Sequence, residues 1–182
     1  MPDITRKTTC RLEMPLRAMV TGDTHLNQRR DWLPRILVDA MIGADLILHT
    51  GDICTVSSKA LFDAHGPVLA VAGNNEDDQL ANSLPDRITL DVGGRSIILI
   101  HGHLEPGSSA RTAVQKSYAG HSDIVIYGHS HKPQWEEVTG TWFLNPGSPT
   151  YKRRELQFSF AILTIAEDGE IDVKFTLFDE QI

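Results

Sequence analysis

Eight side chains of this sequence have types and spacings that suit metal chemistry. They are Asp23 and His25 in TGDTH, Asp52 in TGDI, Asn74 in AGNNE, His101 and His103 in HGH, and His129 and His131 in YGHSH. Two aspartates, an asparagine and several histidines, with no cysteine among them, make a mixed oxygen and nitrogen ligand set. Such a set suits Mn²⁺, Fe²⁺/³⁺, Zn²⁺, Co²⁺ or Ni²⁺ better than Ca²⁺ or Mg²⁺, which take mostly oxygen ligands. An ion that keeps a position open for chemistry rarely takes more than about four protein ligands. This many candidates therefore imply two divalent ions sharing a carboxylate. A pair roughly 3.5–4 Å apart would hold a hydroxide between them and stabilise an in-line displacement at phosphorus. In four of the motifs the ligand type follows the glycine, a pattern that would choose His103 over His101 in HGH. The residues alone leave that choice open.

Each motif closes a short apolar run: LRAMVT (16–21), ADLILHT (44–50), PVLAVA (67–72), RSIILI (95–100) and DIVIY (123–127). Runs this short and not amphipathic read as strands buried on both faces. Between them lie helix-like segments. RDWLPRILVDAMIGA places Trp32, Leu33, Ile36, Leu37 and Ala40 at helical spacing and stops near Gly43. SSKALFDAHG opens on a serine cap candidate and ends in glycine, and SSARTAVQKSYAG repeats that punctuation at 108–120. Strand alternating with helix implies parallel βαβ units and an α/β fold. The last third differs: one hairpin turns near Thr139–Gly140 and a second at Asp168–Gly169. Two packed sheets with helices outside are the expected result. In open α/β sheets, sites form at the carboxyl ends of the strands, which is where the motifs stand.

The chain of 182 residues is long enough for one domain with a substantial core. Its net charge of −7 argues against a general binder of nucleic acid or membrane surfaces, because the phosphate-neutralising footprint is missing. The one basic cluster, YKRRE, reads as a solvated surface turn. Two isolated cysteines, Cys10 and Cys54, form no CxxC pair and suit a reducing cytoplasm. The start has no apolar h-region of signal-peptide length, and no run approaches the roughly 18 residues of a membrane span. Residues 1–14 read as a polar N-terminal extension, poorly ordered unless something docks it, and 15–182 as a single domain. Oligomeric state is open, since hairpin edges offer pairing sites between copies.

Asp-x-His, Gly-Asp, Gly-Asn, His-Gly-His and Gly-His-x-His in this order resemble the calcineurin-like metallophosphoesterase superfamily. The likeness is closest to its small single-domain branch of bacterial and archaeal phosphodiesterases. It runs from about Leu16 to Pro149 and includes LPDRITLDVGGRSIILIHGH and FLNPGSPT. The resemblance implies a four-layer α/β/β/α sandwich of two mixed β-sheets flanked by helices. It implies that Asp23, His25 and His131 bind a first metal, that Asp52 bridges, and that Asn74, His101 and His129 bind a second. Manganese is the leading ion, with Fe, Zn, Ni or Co as others. Asp52, Asn74 and His103 are the catalytic candidates. Many members carry a histidine after the asparagine, thought to assist the leaving group; Asn75 stands there and has no titrating proton to give. His103 is then a near-site residue able to touch a phosphate oxygen or supply that proton.

The implied function is metal-dependent hydrolysis of a small phosphodiester. Long nucleic acid is not expected as a substrate, given the acidic balance. Two rivals are a nuclease or nucleotidase on the same core, and a non-catalytic protein-binding scaffold such as the retromer-coat member of the fold. Filling of all seven ligand positions favours the enzyme. Other residues read as structural. His49 is expected to be a satisfied core histidine and His65 a helix C-terminal charge. Trp32, Trp135 and Trp142 are expected in core or hairpin faces. Glu76, Asp77 and Asp78 read as a solvated helix N-terminus in preference to tuning of a metal site.

Overall fold

In chain order the first elements are β1 (Lys7–Leu12), β2 (Leu16–Thr21), α1 (Arg35–Ile42), β3 (Leu46–His49), α2 (Val56–Asp63), β4 (Val68–Ala70) and α3 (Asp78–Ser83). The rest are β5 (Arg87–Val92), β6 (Arg95–Ile100), α4 (Ala110–Tyr118), β7 (Ile124–Ile126), β8 (Gln134–Val138), β9 (Thr141–Asn145), β10 (Phe158–Ile165) and β11 (Ile171–Phe178). The structure is a computed structural model and describes residues 6–26 and 31–179.

Every apolar run becomes a strand, and the strands divide between two mixed sheets. One sheet has the order β11-β10-β2-β3-β4 and the other β1-β5-β6-β7-β9-β8. β2, β3 and β4 are parallel, as are β6, β7 and β9, while the hairpins β8–β9 and β10–β11 are antiparallel. The period-2 pleat explains why the runs are apolar on both faces. In β2, Ala18 and Val20 point between the sheets while Met19 points outward under α1. In β6, Ile97 and Leu99 point inward and Ile98 and Ile100 outward against Val114 of α4. Helices thus cover both outer faces, giving four layers, α/β/β/α. No helix of the described residues is long and apolar enough to cross a membrane.

Several expectations are corrected. Residues 7–12 are docked: β1 pairs parallel with β5 at the sheet edge, and Cys10 and Leu12 pack against the inter-sheet core. Its other side chains are exposed, so the apolar signal is too sparse to stand out. Residues 1–5 lie outside the described residues. Trp32 and Leu33 precede α1 because Pro34 sits at its start and disfavours helix in the residue before it. The cap of α2 is Thr55, whose hydroxyl accepts from Ser58 N at 3.1 Å, not a serine within the helix. Trp135 and Trp142 stack at 4.6 Å on the β8–β9 hairpin and pack on the inter-sheet core.

Candidate metal centre

The loops after β2, β3, β4, β6 and β7 leave the same end of the two sheets. Five of their ligand-type residues sit on unusual backbone. Asp23, His25, Asp52, His129 and His131 have φ of 53°, 45°, 59°, 65° and 60°. Left-handed backbone is steric strain for residues with a Cβ, about 1–2 kcal/mol each. Neighbouring loops hold it in place. Asp23 N donates to Gly51 O and His25 N to Asp52 O, both at 2.9 Å. Ser148 Oγ donates to Asp23 O at 2.8 Å, Thr150 Oγ1 to Thr24 O, and Asn145 Nδ2 to Gly128 O at 2.9 Å. The glycines let these loops meet. A Cβ on Gly128 would lie 2.4 Å from Thr50 Oγ1, and one on Gly73 only 2.2 Å from Asp52 Oδ1.

The seven residues named as ligands by resemblance meet in one cluster. His25 Nε2 lies 3.3 Å from both His131 Nε2 and Asp52 Oδ2, and His131 Nε2 lies 3.4 Å from Asp23 Oδ1. On the other side His101 Nε2 is 3.5 Å from Asp52 Oδ2, 3.1 Å from Asn74 Oδ1 and 3.2 Å from His129 Nδ1. Asp52 therefore stands between the two halves. Asp23, His25, Asp52, His101 and His131 are buried; His129 is half-buried and Asn74 exposed, so the cluster opens on that side.

Carbonyl partners fix the tautomers of two of the histidines. His101 Nδ1–H donates to Thr50 O at 2.7 Å and His131 Nδ1–H to Tyr151 O, which leaves each Nε2 as a lone pair aimed at the cluster. Burial lowers His101 to about 4 and His131 to about 3, so neither imidazole is charged at neutral pH. Burial, then the charge of Asp52, pushes Asp23 well above the usual carboxylate range. Asp52 itself is held below that range. Burial opposes this, but His101, the Asn75 amide, His25 and Asn74 N–H outweigh it. Asp23 Oδ2 is buried and has no hydrogen-bond partner among the described residues. Lone pairs within 4.8 Å of one another, in the sets Asp23–His25–His131 and Asp23–Asp52–His101, fit cations and little else.

His103 stands beside the cluster, not in it. Its ring is 5.2 Å from that of His101 and 6.4 Å from that of His129, and its buried Nδ1 is unpartnered among the described residues. It lines a cavity of about 300 Å³ with Lys7, Asp86, Arg87, Glu105 and Tyr118. His49 is a core residue: Nδ1 accepts from Gly51 N at 3.1 Å, Nε2 pairs with Thr24 Oγ1 at 3.2 Å, and the ring packs edge-on against Phe62.

Some functional residues escaped the sequence reading. Asn75 donates its amide to Asp52 Oδ2 at 2.8 Å, so it positions the central carboxylate. Glu76 is not a solvated helix start. Its two oxygens accept from Ile53 N at 3.1 Å and Gly73 N at 2.9 Å, tying together the loops that carry Asp52 and Asn74. Asp77 takes the capping role instead, accepting from Leu80 N at 2.8 Å. A glutamate three residues after a glycine could have suggested such a bridge. Glu76→Ala is expected to weaken metal binding about 10- to 100-fold, as for other residues that orient ligands. Calorimetric titration with Mn²⁺ measures it, and an unchanged affinity would remove Glu76 from the site.

Known proteins share this organisation. The family model described as the calcineurin-like phosphoesterase superfamily domain matches residues 16–168. A probable metallophosphoesterase of Methanothermobacter thermautotrophicus is 32% identical over 154 residues, covering 83% of this chain and 86% of its own. YsnB of Bacillus subtilis, also a probable metallophosphoesterase, is 32% identical over 128 residues, covering 69% and 71%. Among solved structures, a single mutant of Vps29 from Entamoeba histolytica superposes with a TM-score of 0.68 at 26% identity, over 90% of this chain and 100% of its own. An archaeal phosphodiesterase has the same fold, with a TM-score of 0.67 at 24% identity over 88% of this chain and 100% of its own.

Proposed function

The chain belongs to the calcineurin-like phosphoesterase superfamily, and from that membership and the site geometry we propose that it hydrolyses phosphodiesters with two divalent ions. The observation that carries the reading is Asp52. Its carboxylate oxygen Oδ2 lies between His25 Nε2 on one side and His101 Nε2 on the other, at 3.3 and 3.5 Å, as a ligand shared by two ions would. Asp23, His25 and His131 would hold one ion and Asn74, His101 and His129 the other, with Asp52 shared. Bound there, the ions would supply an activated water and the positive charge that a phosphoryl transfer needs.

The chain's own residues do the rest. Asn74 N–H and Asn75 N–H hold Asp52 Oδ1 at 2.9 and 3.0 Å, so the shared carboxylate keeps one orientation. The carbonyls of Thr50 and Tyr151 fix which nitrogen His101 and His131 present. The exposed Asn74 face admits substrate. His103, half-buried on the side of the 300 Å³ cavity, is placed to hold a phosphate oxygen or give a proton to the leaving oxygen. Asn75 cannot take that role, since its amide is engaged with Asp52.

Manganese is the first ion to test, because the ligand set also admits Fe, Zn, Co and Ni and only assay separates them. The experiment is metal content per chain, with bis-p-nitrophenyl phosphate hydrolysis followed after chelation and Mn²⁺ re-addition. About two ions per chain and activity that returns with metal support the reading. Protein that takes up no metal and never turns over would mark a binding scaffold on the same fold.

A further inference from the structure

The basic cluster YKRRE forms an exposed turn, as its composition implies, and the fold sets that turn beside the ligand cluster. Tyr151 is in direct contact with the candidate ligands His25 and His131. Its carbonyl takes the Nδ1–H of His131, and its ring stands edge-on to His25 and His131, 5.2 Å from each. Residues 152–155 then turn back, with Glu155 N donating to Lys152 O at 2.9 Å. Arg153 reaches over the Tyr151 ring at 5.9 Å, and its Nη1 donates to the His129 carbonyl at 3.4 Å. On the facing side come Ser130 and Lys132, the residues that alternate with the two histidines of YGHSH. Together these segments line a groove of about 690 Å³.

The groove is electrostatically unlike the rest of the molecule. Lys132, Lys152, Arg153 and Arg154 face it against the one carboxylate of Glu155, in a chain whose net charge is −7. Lys152 is partly committed, donating to Leu156 O at 2.6 Å and lying over Phe158. Lys132 and Arg154 are exposed. The cavity on the opposite side, past His103, is balanced: Lys7 and Arg87 stand against Asp86 and Glu105. A substrate bound at the metal cluster therefore meets net positive charge in one direction and a neutral polar wall in the other. Single-sign clefts of this kind concentrate and orient anions, and arginine forks match phosphate oxygens.

We propose that the groove is a subsite for a second phosphoryl group, so that favoured substrates are compact esters with two adjacent phosphoryl groups. The inference rests on the phosphoesterase reading above, because the scissile phosphorus is placed at the metal cluster. The second group lies over residues 151–154, and the uncharged part of the substrate lies toward His103. Four cations in one short groove fit a small ligand, not the repeated charge of a polymer.

The test compares adenosine diphosphate with adenosine monophosphate as ligands of the Mn²⁺-loaded protein, by titration calorimetry at low and high salt. The diphosphate is expected to bind about tenfold tighter, with the preference shrinking as salt screens the groove. In the Lys132→Gln/Arg154→Gln double variant the preference should fall to about twofold or less. Lys174→Gln, an exposed site beside Asp172 on β11, serves as the control and should keep it. Equal binding of both ligands, binding of neither, or a preference that survives the double variant would overturn the proposal. So would an oligonucleotide that displaces the diphosphate at lower concentration. Hydrolysis of bis-p-nitrophenyl phosphate by the unmodified protein is read separately. Loss of that activity strikes the phosphoesterase reading, and loss of the ligand preference strikes the subsite.

Discussion

Replacing Asp52 by asparagine is expected to cut diester hydrolysis by at least about a thousandfold, more than the 10- to 100-fold typical of residues that only orient ligands. The change is nearly isosteric, so the fold should survive. An amide oxygen can still accept from Asn74 and Asn75 N–H. What disappears is the negative charge between His25 and His101, together with one of the two lone-pair oxygens there. An NH₂ in that place would instead face the Asn75 amide, donor to donor, across 2.8 Å. Steady-state kinetics on bis-p-nitrophenyl phosphate with metal content measured in parallel checks the result. A variant that keeps wild-type turnover would end the shared-carboxylate reading.

Metal removal should reveal how much of the fold depends on the cluster. With ions at about a thousand times Kd, binding stabilises the native state by about 4 kcal/mol. For a chain of this size that raises Tm by about 10 °C. The metal-free protein should also be acid-sensitive, and the sign can be worked out. Burial holds His49 and His131 near 3 and His101 near 4 in the folded state, whereas unfolded imidazoles titrate near 6.5. Below that value the unfolded chain binds more protons, so stability falls as pH falls toward about 4. Asp23 works the other way. Its raised pKa favours the protonated form in the folded state, which offsets part of the histidine contribution. The net expectation is a progressive loss of stability across that window. Calorimetric scans of chelated protein would show it, and a metal-free Tm independent of pH between about 6.5 and 4.5 would refute it.

Much of the site was legible because two physical constraints leave marks in sequence. Strands buried on both faces are short apolar runs, and tight loops at their ends call for glycine beside residues that tolerate left-handed backbone. Both marks coincide at Asp23, Asp52 and His129. The choice between His101 and His103 was not legible from spacing. It depends on which ring reaches Thr50 O and the Asp52 carboxylate, and that is set by how the two sheets pack. β1 was missed because an edge strand needs few apolar residues and draws its partner from β5, far along the chain. Ser148 and Thr150 act through backbone hydrogen bonds to ligand loops, which no side-chain pattern announces. The basic turn at 152–154 is the solvated turn expected, but its place in the fold was not legible, for a related reason. Its charge could be counted, but its position beside His131 comes from the path of the β9–β10 connection, which crosses from one sheet to the other.

The left-handed backbone at Asp23, His25, Asp52, His129 and His131 bears on the evolution of such chains. At each of these positions glycine would relax the backbone by about 1 kcal/mol, and the metal supplies the compensation only while the ligand is kept. In a chain freed from catalysis, the relief of backbone strain at these positions competes with the loop hydrogen bonds that Asp23 and Asp52 accept, so loss of ligands is opposed chiefly where those bonds are made.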